Sequence, residues 1–223
     1  MGETIQLSAA DGFELDAYLA QPTQQVKGAV LVIQEIFGVN AHIREVCDGY
    51  AEAGYAALAP CIFDRAERGI ELGYEGDDMT RGIEIARGKL KTDETMLDLA
   101  AGVEHLTQFG AVGVVGYCFG GLMAWLSASQ LAGVACVSGY YGGGIAASLD
   151  LAPQVPTTLH FGNLDAHIPM TDVQKVIDAH PTVDVFVYDA DHGFNCDHRA
   201  SFDETASKLA LSRTLEFFGK NMG

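Results

Sequence analysis

Along most of this chain, short apolar runs alternate with segments in which apolar residues recur at helical spacing. The first two runs differ from the rest, because they alternate polar and apolar positions on either side of Asp11-Gly12, as an antiparallel hairpin does. Later runs, such as GAVLVI, are continuously apolar and predict strands that are buried on both faces. The predicted strands are 3–8, 13–20, 28–33, 55–59, 111–115, 134–137, 157–161 and 184–188.

The segments between the strands predict helices. Asn40 is a candidate cap for a helix that ends near Gly54, and Thr92 is a candidate cap for a later one. Residues 61–91 are irregular and rich in charge, which predicts a lid-like excursion containing one helix. A long terminal helix is predicted to bury the face that carries Phe202, Ala206, Leu209, Ala210 and Phe217. Alternating strands and helices predict one α/β domain over residues 1–223, with a mainly parallel twisted sheet covered on both faces.

Composition limits the classes of partner and the cellular compartment that we expect. The net charge of −17 repels phosphate backbones and anionic lipids, so we expect a small-molecule substrate and neither nucleic-acid nor membrane partners. The five cysteines are odd in number and lack metal-type CxxC spacing, which favours reduced thiols. The first residues show no signal-peptide pattern, and no apolar stretch approaches the ~18 residues of a membrane span. We therefore expect a cytoplasmic protein, either a monomer or a small homo-oligomer.

The strongest chemical signal is VVGYCFGG at 114–121, in which Gly116, Cys118 and Gly120 form G-x-C-x-G between a predicted strand and a predicted helix. A nucleophile elbow has this context, because its tight turn needs small residues two positions before and after the nucleophile. The helix N-terminus favours a thiolate, and the amide of Phe119 points where an oxyanion would form. Cys118 is therefore the candidate nucleophile, and a buried structural cysteine is the alternative.

A thiol nucleophile needs a base, and the base needs a group that orients it. Asp165 and His192 each directly follow a predicted strand, so we expect both at the same sheet edge as Cys118. Asp189 and Asp191 compete with Asp165, but Asp191 adjoins His192, and immediate neighbours rarely face each other. The other histidines fit less well: His42 and His105 within helices, His160 within a strand, His180 at a helix end, and His167 and His198 in loops of poorer spacing.

At GYCFGG, QEIFGVN, GNLDAHIP and DHGFN the chain resembles the dienelactone hydrolase (carboxymethylenebutenolidase) family over essentially its whole length. The resemblance implies an α/β-hydrolase fold and cleavage of small carboxylic esters or lactones through an acyl-enzyme-type intermediate. It implies Cys118 as the nucleophile, His192 as the base and Asp165 as the residue that orients the base. Neither a cofactor nor a metal ion is implied.

Glu35 ends an apolar strand in LVIQEIFGVN, and from the residues alone it would be a solvated strand-end acid. The resemblance implies instead that Glu35 contacts the resting Cys118 and helps to hold or deprotonate it. The oxyanion donors that it implies are the amides of Phe119 and Ile36.

The residues that would bind the substrate depart from the family pattern. The dienelactone-cleaving members have an arginine four residues after the histidine, where this chain has Cys196. Arg199 is near in sequence but does not occupy the matching position. We therefore expect a broader range than that of a dedicated dienelactone hydrolase, including neutral aryl esters and lactones and activated phosphotriesters. The candidate substrate contacts are Arg81, with Arg87 as a poorer alternative, Tyr117 and Phe37.

Two other functions remain open on the sequence. Glutamine amidotransferases also use G-x-C-x-G, but they have an acid after a downstream His-Pro pair, whereas Thr182 follows His180-Pro181 here. A non-enzymatic binding protein on a hydrolase fold typically lacks a member of the triad, and this chain has all three. The pattern therefore favours a hydrolase.

Overall fold

The computed structural model of the protein describes residues 2–223, and a twisted sheet of eight strands runs through this part of the chain. The strands are β1 (Glu3–Ser8), β2 (Glu14–Ala20), β3 (Ala29–Ile33), β4 (Ala56–Pro60), β5 (Val112–Tyr117), β6 (Val134–Tyr140), β7 (Thr157–Gly162) and β8 (Asp184–Tyr188). Their order in the sheet is β1-β2-β4-β3-β5-β6-β7-β8. The pairs β1–β2 and β2–β4 are antiparallel, and the others are parallel. The predicted mainly parallel sheet with an N-terminal hairpin is confirmed.

Helices cover both faces of the sheet. They are α1 (Ala41–Glu52), α2 (Gly76–Glu84), α3 (Thr92–Leu106), α4 (Phe119–Gln130), α5 (Met170–Ala179) and α6 (Glu204–Asn221). Helices α1 and α6 share one face, where the rings of Tyr50 and Phe218 have centroids 6.2 Å apart, while α3 and α4 pack together on the other face. Within residues 2–223, none of the helices combines the length and the apolarity that crossing a bilayer requires.

The two predicted helix caps have different outcomes. Asn40 caps α1 as predicted, since its side-chain oxygen accepts a hydrogen bond from the amide of Ile43 at 3.3 Å. The prediction that Thr92 caps α3 is wrong. The extended backbone belongs to Lys91 (φ −104°, ψ 133°), so Thr92 is already the first helical residue.

The charged segment after β4 is the predicted excursion with one helix. It consists of a short 3₁₀ turn at Ile62–Arg65, then α2, and then a single wide helical turn at Ile85–Lys89. A Cβ atom placed on Gly82 of α2 would lie only 2.2 Å from the carbonyl oxygen of Ile36. The excursion therefore packs directly against the loop that follows β3.

The buried face of α6 differs from the predicted one. Ala206, Ala210, Thr214 and Phe218 are buried at four-residue intervals, whereas Leu209 is 44% exposed and Phe202, which precedes the helix, is 38% exposed. Thr214 tolerates burial because its hydroxyl lies 2.7 Å from the hydroxyl of Tyr140. Because the buried row includes a polar residue, a search for apolar residues alone does not identify the buried face.

Candidate active site

The turn from β5 into α4 holds Cys118 in a strained backbone conformation (φ 55°, ψ −114°) that residues with side chains rarely adopt. A Cβ atom on Gly116 would lie 1.9 Å from the carbonyl oxygen of Gly120. One on Gly120 would lie 2.3 Å from the carbonyl oxygen of Ile33. Strand and helix therefore approach so closely that glycine is required on both sides of the cysteine, as an elbow demands.

The structure brings Cys118, His192 and Asp165 into one chain of contacts. Sγ of Cys118 lies 3.1 Å from Nε2 of His192, and Nδ1 of His192 lies 2.7 Å from Oδ2 of Asp165. These residues follow the carboxyl ends of β5, β8 and β7, respectively. Parallel strands end at a common edge, so three segments far apart in sequence deliver their side chains to the same place.

Two acidic residues near His192 have different roles. Oδ1 of Asp165 accepts hydrogen bonds from the amides of His167 and Ile168, at 2.7 and 3.2 Å, which leaves Oδ2 for the imidazole. Oδ1 of Asp191 instead accepts from the backbone amide of His192 at 2.6 Å. Asp165 therefore contacts the imidazole ring, whereas Asp191 contacts the backbone of the same histidine.

The contacts of His192 and Asp165 shift both pKa values in the direction that favours the charged forms. Burial alone would lower the pKa of His192, but its contacts with Asp165 and Cys118 favour the protonated ring and raise the pKa to about 10. Burial alone would raise the pKa of Asp165, yet the hydrogen bonds from His192 and two backbone amides hold it below the ordinary value. The site therefore stabilises an imidazolium beside a carboxylate, which suits a base that takes a proton from a thiol.

The other cysteines differ from Cys118 in their surroundings. Burial raises the pKa values of Cys61, Cys136 and Cys196 to about 12, and it raises the pKa of the fully buried Cys47 further. These four residues therefore remain thiols near neutral pH and are poor nucleophiles.

Glu35 is 1% exposed, so the simple interpretation as a solvated strand-end acid is wrong. Its Oε1 atom accepts a hydrogen bond from Nη1 of Arg199 at 3.1 Å. Its Oε2 atom is buried and has no partner among residues 2–223. The hydrogen bond that the structure gives this carboxylate is thus with a guanidinium, and the implied contact with Cys118 stays a prediction.

Arg199 is the cation of the site, although its sequence position does not match the family pattern. Two successive turns wind the chain, with the amide of Cys196 bonded to the carbonyl of Gly193 and the amide of Arg199 bonded to the carbonyl of Cys196. The guanidinium lies over the rings of Phe37 and Tyr74, with 5.7 Å to each centroid. Its nearness in sequence to position 196 was the one signal that pointed to it.

The three candidate substrate contacts lie in different surroundings. Arg81 lies on the exposed side of α2 and pairs with Glu67. Tyr117 is fully buried, with its hydroxyl 3.4 Å from that of Tyr50, and this position in the core argues against contact with a substrate. Phe37 is also buried, and its ring centroid lies 5.7 Å from the guanidinium carbon of Arg199.

The two candidate oxyanion donors come from adjoining segments. Phe119 is the first residue of α4, where helical N–H groups lack an acceptor within the helix. Ile36 follows the end of β3, and that end lies against α4, since a Cβ atom on Gly120 would be 2.6 Å from the carbonyl oxygen of Gln34. Both amides therefore belong to the region where Cys118 is held.

A cavity of about 180 Å³ lies between the loop that follows β6 and helix α5. Its walls include Gly142, Phe161, His167 and Ile168. The ring of His167, which lines the cavity, packs edge-on against that of His192, with 5.3 Å between centroids. Its volume suits part of a small substrate.

His180, which the amidotransferase alternative would need, makes contacts that stabilise the fold. Its Nε2 atom lies 2.9 Å from the carbonyl oxygen of Leu149, and its ring packs edge-on against Trp125. His160 is buried in the core, and burial lowers its pKa to about 3. Neither histidine is placed to serve Cys118.

Comparisons with known proteins agree with this fold. The Dienelactone hydrolase family profile matches residues 15–222. A candidate carboxymethylenebutenolidase of Synechocystis sp. is 35% identical, covering 92% of this chain and 91% of that protein. The carboxymethylenebutenolidase of Pseudomonas sp. strain P51 is 32% identical, with 96% and 93% covered.

Solved structures show the same architecture. A candidate dienelactone hydrolase from Klebsiella pneumoniae superposes with a TM-score of 0.82 at 27% identity, covering 99% of both chains. A dienelactone hydrolase-like promiscuous phosphotriesterase from metagenomic libraries has a TM-score of 0.77 at 19% identity, covering 100% of this chain and 99% of the other. At that identity the second likeness concerns the fold alone.

Proposed function

This chain belongs to the dienelactone hydrolase family and acts on ester or lactone bonds, and we propose that it does so through a Cys118–His192–Asp165 triad. The observation that carries this proposal is the pair of contacts that links Sγ to Nε2 at 3.1 Å and Nδ1 to Oδ2 at 2.7 Å. The proposed oxyanion donors are the amides of Phe119, the first residue of α4, and of Ile36, which follows β3.

The first half of the reaction forms a thioester. When attack begins, the thiol proton of Cys118 lies on Nε2 of His192, as the raised pKa of this imidazole favours, and an electron pair on Sγ forms a bond to the carbonyl carbon. The carbonyl oxygen becomes an oxyanion that accepts hydrogen bonds from the Phe119 and Ile36 amides. When the intermediate collapses, the ester C–O bond breaks, and the leaving oxygen takes the proton back from His192. Asp165 stabilises the imidazolium throughout.

The second half releases the acid. His192 accepts a proton from a water molecule, whose oxygen attacks the thioester carbon. The second oxyanion collapses with cleavage of the C–S bond, and the proton on His192 returns to Sγ of Cys118. With a lactone, the leaving oxygen stays attached to the acyl group, so the product is a single hydroxy acid.

Release of p-nitrophenolate from p-nitrophenyl acetate tests the proposal directly. We expect many equivalents to be released per enzyme, because the same histidine serves both halves of the reaction. Release that stops after one equivalent would mean that the thioester is not hydrolysed. Release no faster than in buffer would contradict the proposal.

The Glu35–Arg199 pair determines which substrates suit the site. The pair is neutral as a whole and buried, so an anionic substrate would have to compete with Glu35 for the guanidinium. We therefore expect kcat/KM to be higher for a neutral aryl ester than for a carboxylate-bearing lactone with a similar leaving group. The comparison of the two kcat/KM values checks this. A preference of a hundredfold or more for the anionic lactone would show that Arg199 is released to bind it.

Glu35→Gln should lower turnover and alter the pH dependence of alkylation of Cys118. The substitution removes the buried negative charge near the thiol and leaves Arg199 with a neutral partner. Loss of this charge-assisted hydrogen bond should lower the free energy of unfolding by about 1.5–3 kcal/mol. Iodoacetamide labelling across a pH series and urea unfolding measure the two effects. Unchanged turnover together with an unchanged labelling profile would show that Glu35 only supports the fold.

Activated neutral phosphotriesters are a second candidate substrate class, favoured by the likeness to the promiscuous phosphotriesterase. The thiolate of Cys118 would attack phosphorus and expel an aryloxide, and water would then have to cleave the S–P bond. Continuous release of p-nitrophenolate from paraoxon would support turnover of this class. Release of one equivalent with loss of esterase activity would mean that the phosphorylated cysteine is a dead end.

A further inference from the structure

Two histidines and two carboxylates converge where α1 meets the loop after Cys196. His42 and Glu45 lie one turn apart on α1, and Asp197 and His198 are consecutive in the loop. One nitrogen from each histidine and one oxygen from each carboxylate all lie within 4.8 Å of one another. None of the four side chains belongs to the proposed triad, so the cluster needs a separate explanation.

We propose that His42, Glu45, Asp197 and His198 bind one divalent transition-metal ion of the Zn²⁺, Co²⁺ or Ni²⁺ kind. Four ligands at about 2.0–2.1 Å from a tetrahedral ion are roughly 3.4 Å from one another. Here Nδ1 of His42 lies 3.2 Å from Oδ1 of Asp197, and Nε2 of His198 lies 3.8 Å from that same oxygen. Nε2 of His198 lies 2.7 Å from Oε2 of Glu45. Small side-chain movements therefore suffice to surround an ion.

The chemistry of the donors selects this class of ion. Imidazole nitrogen suits zinc, cobalt and nickel, whereas calcium and magnesium prefer oxygen-only sets. Two carboxylates beside two neutral imidazoles balance a double positive charge within the site. The net charge of −17 on the chain raises the local concentration of cations. The adjacent cation, Arg199, is directed to Glu35 and not to the cluster.

His42 gives the cluster a fixed, buried member. It is 3% exposed, and its Nε2 atom is buried with no hydrogen-bond partner among residues 2–223. A metal ion at Nδ1 would leave the ring proton on Nε2, and a nearby carboxylate commonly stabilises such a proton in metal sites. The carboxylate of Glu35 likewise has a buried oxygen, Oε2, with no hydrogen-bond partner among residues 2–223.

Binding would tie α1 to the loop that carries Arg199. The two segments are far apart in sequence. The carboxylate of Glu45 lies on α1 and the imidazole of His198 lies in the loop, and these two groups already contact each other. An ion bound only by the folded chain raises the midpoint of thermal unfolding. The inference does not depend on the proposed hydrolysis, since the ion takes no part in it.

The test is titration of tag-free, chelator-treated protein with Co²⁺ alone, followed by calorimetry, visible absorption and thermal unfolding. We expect one equivalent to bind, with the strong visible absorption of tetrahedral Co²⁺ and a higher unfolding midpoint. His198→Gln and Glu45→Gln each remove a ligand at an exposed position and should weaken binding by at least about a hundredfold. The matched controls, Glu52→Gln on α1 and His105→Gln on α3, should bind as the wild type does.

Cys118→Ala separates the cluster from the catalytic thiol, because thiolates also bind these ions. Full binding by Cys118→Ala, without a sulfur-to-cobalt charge-transfer band in the wild type, supports the cluster. Loss of binding in Cys118→Ala would place the ion at the thiol and overturn the proposal. Unweakened binding by His198→Gln and Glu45→Gln, or no binding by the wild type up to about millimolar Co²⁺, would also overturn it.

Discussion

Cys118→Ala should reduce the hydrolysis of p-nitrophenyl acetate to the rate of the uncatalysed reaction. Loss of the nucleophile in a triad lowers kcat by about 10⁴–10⁶-fold, because no other group can form the covalent intermediate. The strained elbow and the contact with His192 concern this one thiol. Steady-state release of p-nitrophenolate by wild type and variant measures the effect, and circular dichroism checks that the variant is folded.

Selective alkylation gives an independent measure of the same assignment. Iodoacetamide should label Cys118 well before Cys196, whose thiol is buried with its pKa raised to about 12. Cys196→Ala is the matched control and should retain activity and its inactivation by the reagent. If labelling of Cys196 accompanied the loss of activity, the nucleophile would have been assigned wrongly.

Asp165→Asn should lower kcat by about 10⁴-fold, since removing the carboxylate that orients the base has this effect in other triads. Asp191→Asn should have a far smaller effect, because Asp191 bonds to the backbone amide of His192 and asparagine retains an acceptor oxygen. Both variants keep the size of the side chain, so the comparison isolates charge and orientation. The opposite ranking of the two kcat values would make Asp191 the orienting residue.

The same substitution should change how stability depends on pH. The folded state holds the pKa of His192 at about 10, above its ordinary value of 6.5. This shift contributes stability that is fully present below pH 6.5 and is lost as the pH rises through 10. The difference in unfolding free energy between wild type and Asp165→Asn should therefore be larger at pH 7 than at pH 10, as urea titrations would measure. A difference that does not change with pH would mean that Asp165 does not stabilise the imidazolium.

Local sequence alone predicts the parts of the site that depend on neighbours along the chain. The elbow at Cys118 follows from glycine spacing between an apolar strand and a helix, because the steric demand there is confined to a few residues. Asp165 and His192 follow from their places after strands, since parallel strands end at one edge. The strands themselves follow from continuous apolar runs. The cytoplasmic location and the small assembly state remain predictions from composition.

Other features depend on contacts between distant segments. The buried face of α6 depends on Thr214, whose hydroxyl pairs with Tyr140, a residue 74 positions away in sequence. Arg199 reaches Glu35 because two turns after Gly193 rotate the chain, and the spacing of residues along the sequence does not reveal that rotation. A pattern of apolar residues does not show which buried polar groups will find hydrogen-bond or ion-pair partners.

Residue patterns along the chain suffice to predict the fold class and the candidates for nucleophile, base and orienting acid. Three features became visible only in the folded chain: Glu35 is buried against Arg199, Tyr117 lies in the core, and His42 contacts Asp197, 155 residues away in sequence. The difference follows from the distance along the chain over which each interaction acts. Glycine sterics and strand patterns act over a few residues, whereas an ion pair or a ligand cluster forms only after the sheet has brought distant loops together.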